Sequence, residues 1–489
     1  MINKLQLNRK HVFIDWSLVE AGNGNSWSGT TDPWFMPNGI ELRTFSPTVH
    51  PEPILLPEKP WEAYLISSWA TVFEDEGIFK LYYEGYHAPD VVTGKDVQKY
   101  VSQVCYAESE DGVNWVRPEL GIVNFKGESD TNIVFSGIQS SGIGPHGATV
   151  IKDPNGSVET RYKMIFGSVN EEKRTRHLRG ATSPEGLHWT AIPDPLIYHA
   201  CDTQSVLAWD EDEGFYRIYT RGYRNQSELI EGRHVWPERR TIDHSRSKDF
   251  LEWDKPMPCL VTDPKDPPAL DLYSSSYTRW PGAQDAHLMF PNLFKRDTEE
   301  METSLAVSRD GNIWHRPIRD ALIPAGPPDS ETYGGNITAQ GLIQTKPGEW
   351  TQLLQVKPIS HIERLHNPDV TWKGGLWRAT IREDGYMAVV TDARGEFWTV
   401  TFEFVGLVLK TNCWAHFGGW VRIGLTDEGG STLEGYGLED CDRISGDTMW
   451  DAVSWRGKTD LSRFSGKPIR LHFEMVRARI YAFRFSASQ

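Results

Sequence analysis

Residues Ser109 to Trp115 read SEDGVNW, and the pattern Ser-x-(Asp/Glu)-(Gly/Phe)-x-x-Trp returns as SPEGLHW (Ser183 to Trp189), SKDFLEW (Ser247 to Trp253) and SRDGNIW (Ser308 to Trp314). The tryptophans are 74, 64 and 61 residues apart. Each copy follows a short apolar run and precedes a Pro-containing stretch, which reads as strand, tight turn, strand. Upstream of each copy lies a second hairpin signal, as in SWATVFEDEGIFKLYYEGY and SVLAWDEDEGFYRIYTR, with strands rich in Val, Ile, Tyr and Phe around an Asp-Glu-Gly turn. Two hairpins per repeat make a four-stranded antiparallel unit, the size of a propeller blade with long loops. In the repeated turn the acid caps amides, Gly permits positive φ, and Trp packs between neighbouring units. A fifth unit is read in GNITAQGLI, EWTQLLQVK and GGLWRATIR, whose Trp377 follows Trp314 by 63 residues.

From about Ala388 the repeat stops. FWTVTFEF, WVRIGLT, PIRLHFEMV and RIYAFRFS alternate apolar and polar residues, so each strand buries one face and the segment reads as a β-sandwich. The expectation is therefore an all-β chain: a five-bladed β-propeller over residues 1–387, with an N-terminal arm that runs over the ring or closes it, followed by a β-sandwich over 388–489.

Composition narrows the function. The chain has 489 residues, of which 39% are hydrophobic and 12% aromatic, ample for a packed core. Its 51 Lys and Arg against 67 Asp and Glu give a net charge of -16, a field that repels phosphate backbones and anionic headgroups. Neither nucleic acid nor membrane is an expected partner, and the start lacks the apolar stretch of a secretory signal, so a cytoplasmic location is expected. The five cysteines (Cys105, Cys201, Cys259, Cys413, Cys441) never form a CxxC pair and read as buried free thiols. No nucleotide loop, zinc-peptidase helix or nucleophile elbow occurs. No cofactor is required by this reading, although Ca²⁺ fits a channel lined with carboxylate and carbonyl oxygens.

A propeller binds its ligand at one end of the central channel, where the innermost strands begin. The segments there contribute Glu62, His146, Asp202, Asp271 with Tyr273, and Glu331. Hydrolysis of an acetal needs one carboxylic acid to protonate the departing oxygen and one carboxylate to act as base or nucleophile, with pKa values driven apart by burial and mutual repulsion. Glu62, Asp202 and Glu331 are the candidates for that work. Substrate contacts are expected from Asp15, Trp61, His146, Asp271, Tyr273 and Tyr333, with Trp16, Trp27 and Trp280 as further aromatics able to stack on sugar rings.

The turns SKDFLEW, SEDGVNW and SRDGNIW resemble the recurring turn of the five-bladed β-propeller glycoside hydrolases that include invertases, levanases and arabinanases. A trailing β-sandwich matches the invertase-like members. The resemblance implies three acidic residues on separate blades, carried by position onto Glu62, Asp202 and Glu331, and a terminal, often furanosidic, glycosidic bond in an oligosaccharide as substrate. The chain lacks the Trp-Met-Asn-Asp-Pro-Asn-Gly signature, the Arg-Asp-Pro and the Glu-Cys of invertases, so invertase activity itself is not implied. Two other readings stand beside hydrolysis. One is a polysaccharide lyase using His146 or Tyr273 as base with an Arg or a cation neutralising a uronate; the other is a sugar-binding propeller without catalysis.

Overall fold

The computed structural model describes residues 3–22, 35–87, 101–137, 145–170, 175–199, 201–223, 229–230, 233–234, 239–361, 363 and 370–487. The chain is all-β. Among the described residues no helix is long and apolar enough to cross a membrane.

The first repeat folds as an antiparallel sheet of Leu65–Asp75, Ile78–His87, Val101–Ser109 and Ile133–Ser136, in that order. The second runs His146–Lys152, Tyr162–Asn170, Thr175–Ser183 and Thr190–Ala191, and the third Val206–Asp210, Phe215–Tyr223, Arg240–Ser247 and Met257–Leu260. The fourth is split into two three-stranded patches, Leu270–Leu272 with Asn292–Lys295 and Met301–Thr303, and Tyr277–Arg279 with His287–Met289 and Ala306–Ser308. Pro291 lies at the break in the middle line; without an N–H it cannot continue the ladder. The last repeat contains Gly335–Thr338, Glu349–Lys357 and Trp377–Arg382, and its outer edge is closed by Thr48–Val49 from the N-terminal side. Met301 pairs with Gly335 across the fourth and last units; a Cβ at Gly335 would lie 1.6 Å from the Met301 carbonyl oxygen, so only glycine allows the approach.

The first three units touch through their first strands, Arg240–Ser247 of the third meets Leu270–Leu272, Met301–Thr303 meets Gly335–Thr338, and Glu349–Lys357 returns to Leu65–Asp75, so the contacts run in a cycle. Two buried glutamines cross the centre. Gln204 Nε2 donates to the carbonyls of Ala70 (3.0 Å) and Ala148 (2.9 Å), and Gln340 Nε2 to that of Leu207 (3.1 Å).

The repeated turns have the form the sequence predicts. Gly112, Gly186 and Gly311 take positive φ, and their amides donate to Ser109, Ser183 and Ser308 Oγ at 2.8 to 2.9 Å. Asp111 Oδ1 accepts from the amides of Val113 and Asn114, and Asp310 Oδ1 from those of Asn312 and Ile313.

The C-terminal strands Met387–Trp398, Val408–Thr426, Asp447–Ala452 and Arg470–Ser486 form one sheet, whose long members shift register at Thr391/Arg394 and Ala415/Trp420 and bend around a core that includes Phe397, Val421, Phe473 and Phe483. The N-terminal arm divides its pairing. Glu41–Thr44 joins Met387–Trp398, His11–Val12 joins Arg470–Ser486, and Asn3–Leu5 runs parallel to Phe402–Phe404. The described part of the arm thus adds strands to the C-terminal sheet, while Lys10 bridges to Ala283 and Val12 and Ile14 pack with Trp280 and Leu288 of the fourth repeat, before Thr48–Val49 closes the last one. The fully buried Asp384 ties the two parts together by accepting from Lys10 Nζ (3.0 Å), Trp280 Nε1 (2.7 Å) and Asn412 Nδ2 (3.0 Å). All five cysteines are free, four buried and Cys259 half-buried.

Candidate active site

His146 opens the first strand of the second unit, between Pro145 and Gly147. Gly147 has φ +61, and a Cβ there would come within 2.7 Å of the Gln204 backbone and 2.5 Å of the Thr203 carbonyl oxygen. That glycine lets the 201–204 segment pass close by, which sets the Asp202 carbonyl oxygen 3.2 Å from His146 Nε2. On the other side of the ring, Nδ1 lies 3.1 Å from the Tyr86 hydroxyl, which donates to Glu84 Oε2 at 2.6 Å. Glu84 and Tyr86 alternate along one strand and so share a face. The Glu84 carboxylate is fully buried, accepts the Gly147 amide at 2.7 Å and lies 3.5 Å from His146 Nδ1. His146, with its side chain 30% exposed, thus presents an imidazole to solvent while a buried tyrosine and carboxylate stand behind it.

Beside it, the Asp202 carboxylate is 36% exposed and is held by Arg176 and, at 2.8 Å, by Arg221 Nη1. The Arg221 side chain is fully buried; it donates twice to the Tyr273 carbonyl (3.0 and 3.3 Å), and its guanidinium carbon lies 4.1 Å from the centre of the Tyr273 ring. Arg240 approaches the same ring at 5.4 Å and binds Asp271 Oδ2 at 2.7 Å. The Tyr273 hydroxyl pairs with His361 Nε2 at 2.7 Å, and His361 Nδ1 lies 3.1 Å from Lys357 Nζ. Burial pulls Lys357 down to about 7, with Glu299 opposing, and burial together with Lys357, Arg221 and Arg240 pushes His361 well below its usual value. His361 is therefore neutral; with Lys357 donating to Nδ1, its single ring proton sits on Nε2, aimed at the Tyr273 oxygen. Trp69, Phe294, Met301 and Ile337 pack with Tyr273 as the apolar floor.

The structure brings together three of the residues singled out in the sequence, His146, Asp202 and Tyr273, and ties Asp271 to them through Arg240. The others lie in different surroundings. Glu62 is fully buried, and its oxygens accept from Tyr83 (2.5 Å), Arg117 (2.9 and 3.2 Å) and the amides of Glu58 and Lys59 (3.0 and 3.2 Å), an arrangement that leaves little room for a reacting atom. Trp61 is fully buried and donates to Asn132. Burial opposes ionisation of Asp15, but Arg309 and Ser17 hold its carboxyl below the usual range. Glu331 is exposed in a turn and Tyr333 half-buried beside it. None of these five hydrogen-bonds or ion-pairs with His146, Asp202 or Tyr273. Trp280 is fully buried on Asp384, Trp16 is 46% exposed, and Trp27 lies outside the described residues.

Sequence reading passed over Glu84, Tyr86, Arg176, Arg221, Lys357 and His361. Glu84 in LYYEGYH and Arg221 in RIYTRGY were open to detection, because a charge inside an otherwise apolar strand demands a buried partner. Among the described residues no group of three or more His, Cys, Asp or Glu side chains could hold a metal ion.

No protein-family profile matches the sequence, and no curated protein does. Solved structures similar to this chain include a protein described as a glycoside hydrolase, at 15% identity and TM-score 0.46, covering 68% of this chain and 92% of that one. A second is an N-acetylgalactosamine deacetylase from F. plautii in complex with blood group B trisaccharide, at 15% identity and TM-score 0.44, with 71% and 97% covered. A third is a glycoside hydrolase family 43 arabinoxylan arabinofuranohydrolase from Bacillus subtilis in complex with cellotetraose, at 13% identity and TM-score 0.40, with 87% and 96% covered. At such scores the activity of this chain has to be argued from its own residues.

Proposed function

We propose that the chain is a glycan-cleaving enzyme, a glycoside hydrolase acting on a terminal bond of an oligosaccharide in the pit between His146, Asp202 and Tyr273. In the same reading the five repeat sheets are the blades of a five-bladed propeller, within residues 1–387, and residues 388–489 with the N-terminal strands form a β-sandwich. The observation that carries the functional reading is the half-exposed His146 imidazole, set between two oxygens, backed by Tyr86 and Glu84 and adjoining a half-exposed carboxylate. Acetal hydrolysis requires one group to protonate the leaving oxygen and one to activate water. Asp202 is assigned the base that takes a proton from water and His146 the acid, its Nε2 proton passing from the Asp202 carbonyl to the leaving oxygen, while Glu84, accepting from Tyr86, orients the ring. Glu62 and Glu331, which bond to neither, are assigned no step. A furanoside is the bond offered by the family resemblance, and a cytoplasmic location implies imported oligosaccharides.

One observation favours a second reading. Arg176, 43% exposed, stands at the rim beside Asp202, with Arg221 and Arg240 behind it, the charge that a lyase needs to neutralise a uronate while His146 or Tyr273 removes the adjacent proton. A panel of plant and microbial oligosaccharides, assayed for new reducing ends and for ultraviolet absorption of the products, separates the two. Hydrolysis predicts reducing ends without absorption, and His146→Ala slower by about 100-fold or more. Absorbing products move the assignment to the lyase; wild-type protein that cleaves nothing on the panel, or His146→Ala at full rate, removes the enzyme.

A further inference from the structure

A strand of the last repeat ends on a buried amine. Lys357 closes Glu349–Lys357 and is 4% exposed. The turn that follows is pinned at its far end: the His361 amide donates to the Glu299 carbonyl at 2.9 Å, and Ser360 Oγ to the Glu299 carboxylate at 3.2 Å. His361 is thereby set edge-on to the rings of Tyr273 (4.8 Å, 76°) and Phe294 (5.3 Å, 62°). Lys357 Nζ stands behind it, 3.1 Å from Nδ1 and 3.5 Å from the His361 carbonyl oxygen. The chemistry assigned to His146 and Asp202 gives Lys357, His361 and Tyr273 no step.

The direction of this chain of hydrogen bonds follows from what each group can donate. A charged lysine has three N–H donors and no acceptor, so against it Nδ1 can only accept. Burial keeps the His361 ring neutral, with a single proton, which is therefore on Nε2 and is given to the Tyr273 oxygen at 2.7 Å. A phenol that accepts a hydrogen bond still carries its own O–H. Among the described residues His361 is the partner of that hydroxyl, and none accepts its proton. The ring that bears it is fixed, with the Arg221 guanidinium 4.1 Å from its centre and Trp69, Phe294, Met301 and Ile337 packed with it. Trp69 in turn meets the His146 ring edge-on at 6.4 Å, so the tyrosine and the imidazole belong to the walls of one pit. Tyr273 keeps 9% of its surface exposed.

We propose that Lys357 is a positioning residue: through His361 it holds the Tyr273 hydroxyl as an acceptor on one side and so turns the hydroxyl's own proton into the pit, where it is donated to a hydroxyl or ring oxygen of the bound sugar. The inference rests on the glycan-binding reading of the pit and adds a substrate contact to it. A tyrosine hydroxyl without such a partner rotates and is donor or acceptor by turns. Held by the imidazole, it selects an oxygen that accepts, and no further ordering is needed when the sugar arrives.

Two measurements test this, each variant being checked for an unchanged thermal melt. Nitrogen-15 spectra of the histidine rings at pH 6, where Lys357, lowered to about 7, carries its proton, read the first link, with His361 assigned by its loss in His361→Asn. The expected result is the Nε2–H tautomer alone in the wild type and a mixture of the two tautomers in Lys357→Met. A wild-type ring protonated on Nδ1, or a tautomer unmoved in Lys357→Met, overturns the proposal. Calorimetry with arabinotriose, levantriose and the rest of the oligosaccharide panel reads the second link in a His146→Ala background, where no bond is broken. Adding Tyr273→Phe should weaken binding about five- to tenfold, the scale of one neutral hydrogen bond; adding Lys357→Met should weaken it equally, and adding both no further. Undiminished binding in Tyr273→Phe, losses that add, or a background that binds no sugar overturns it. If Lys357→Met does not fold, the wild-type spectrum and Tyr273→Phe decide. Because binding is read without turnover, a wild type that binds but cleaves nothing ends the hydrolase and not this contact.

Discussion

Asp202 and Glu62 look alike in the sequence, each a carboxylate just before an apolar strand, yet their surroundings separate them. Five donors surround Glu62 out of contact with water, whereas Asp202 keeps an exposed edge next to an imidazole. Such differences depend on partners far away in sequence, Arg117 for one and Arg176 and Arg221 for the other, which local reading does not supply. His146 was legible because Pro and Gly on either side announce a shaped backbone, and Tyr273 because it precedes a first strand. Lys357 carries its own prediction. Burial lowers it to about 7, with Glu299 opposing, so it sheds its proton as pH rises through neutrality, while unfolded lysine holds it to about 10.4. Carbon-13 NMR of the lysine Cε resonances should find one lysine titrating near pH 7, missing in Lys357→Met; no lysine titrating below pH 9 would contradict the burial of that amine.

At the level of single elements, the repeated turn was fully legible, since Ser, Asp and Gly each answer a local backbone demand. The third copy tests how far packing overrides that demand. Phe250 occupies the glycine position with φ 73, is 1% exposed and packs its ring on Tyr216 and Trp253. A left-handed non-glycine residue costs about 1 to 2 kcal/mol, while removing a buried phenyl costs about 3 to 5 kcal/mol. Phe250→Gly is therefore expected to destabilise the protein by roughly 2 kcal/mol despite restoring the consensus residue, as measured by denaturant unfolding. A more stable variant would mean that backbone strain dominates. The fourth repeat was less legible: SSSYTRW and HLMFPN signal strands, but their splitting follows from Pro291 together with the serines facing it.

For the whole molecule, the sequence indicated repetition and the change of pattern near Ala388, but not the route of the N-terminal arm. Its strands are short, and their partners, Met387–Trp398 and Arg470–Ser486, lie hundreds of residues away. Long-range pairing of that kind leaves no local periodicity. Stability of the assembly should depend on pH in a definite direction. Burial drives His11 and His244 down to about 3 and His287 to about 4, aided by nearby arginines. Below about pH 6.5 the unfolded chain protonates these rings while the folded chain does not, so their contribution is complete above that pH and is lost as pH falls toward 4, by about 1.4 kcal/mol per unit for each histidine. Unfolding free energies measured between pH 7.5 and 4.5 should fall steadily, and a His244→Gln, His287→Gln double variant should show a shallower slope; an unchanged slope would contradict the buried neutral state.

Catalysis in this pit depends most on Asp202 working beside His146. The most direct measurement is the initial rate of reducing-end release by Asp202→Asn against wild type, at equal folded concentration and with substrate binding measured in parallel. The expected result is a loss of about 100-fold or more with binding held within a few-fold, the scale of a missing acid or base; a variant that turns over at the wild-type rate would contradict it.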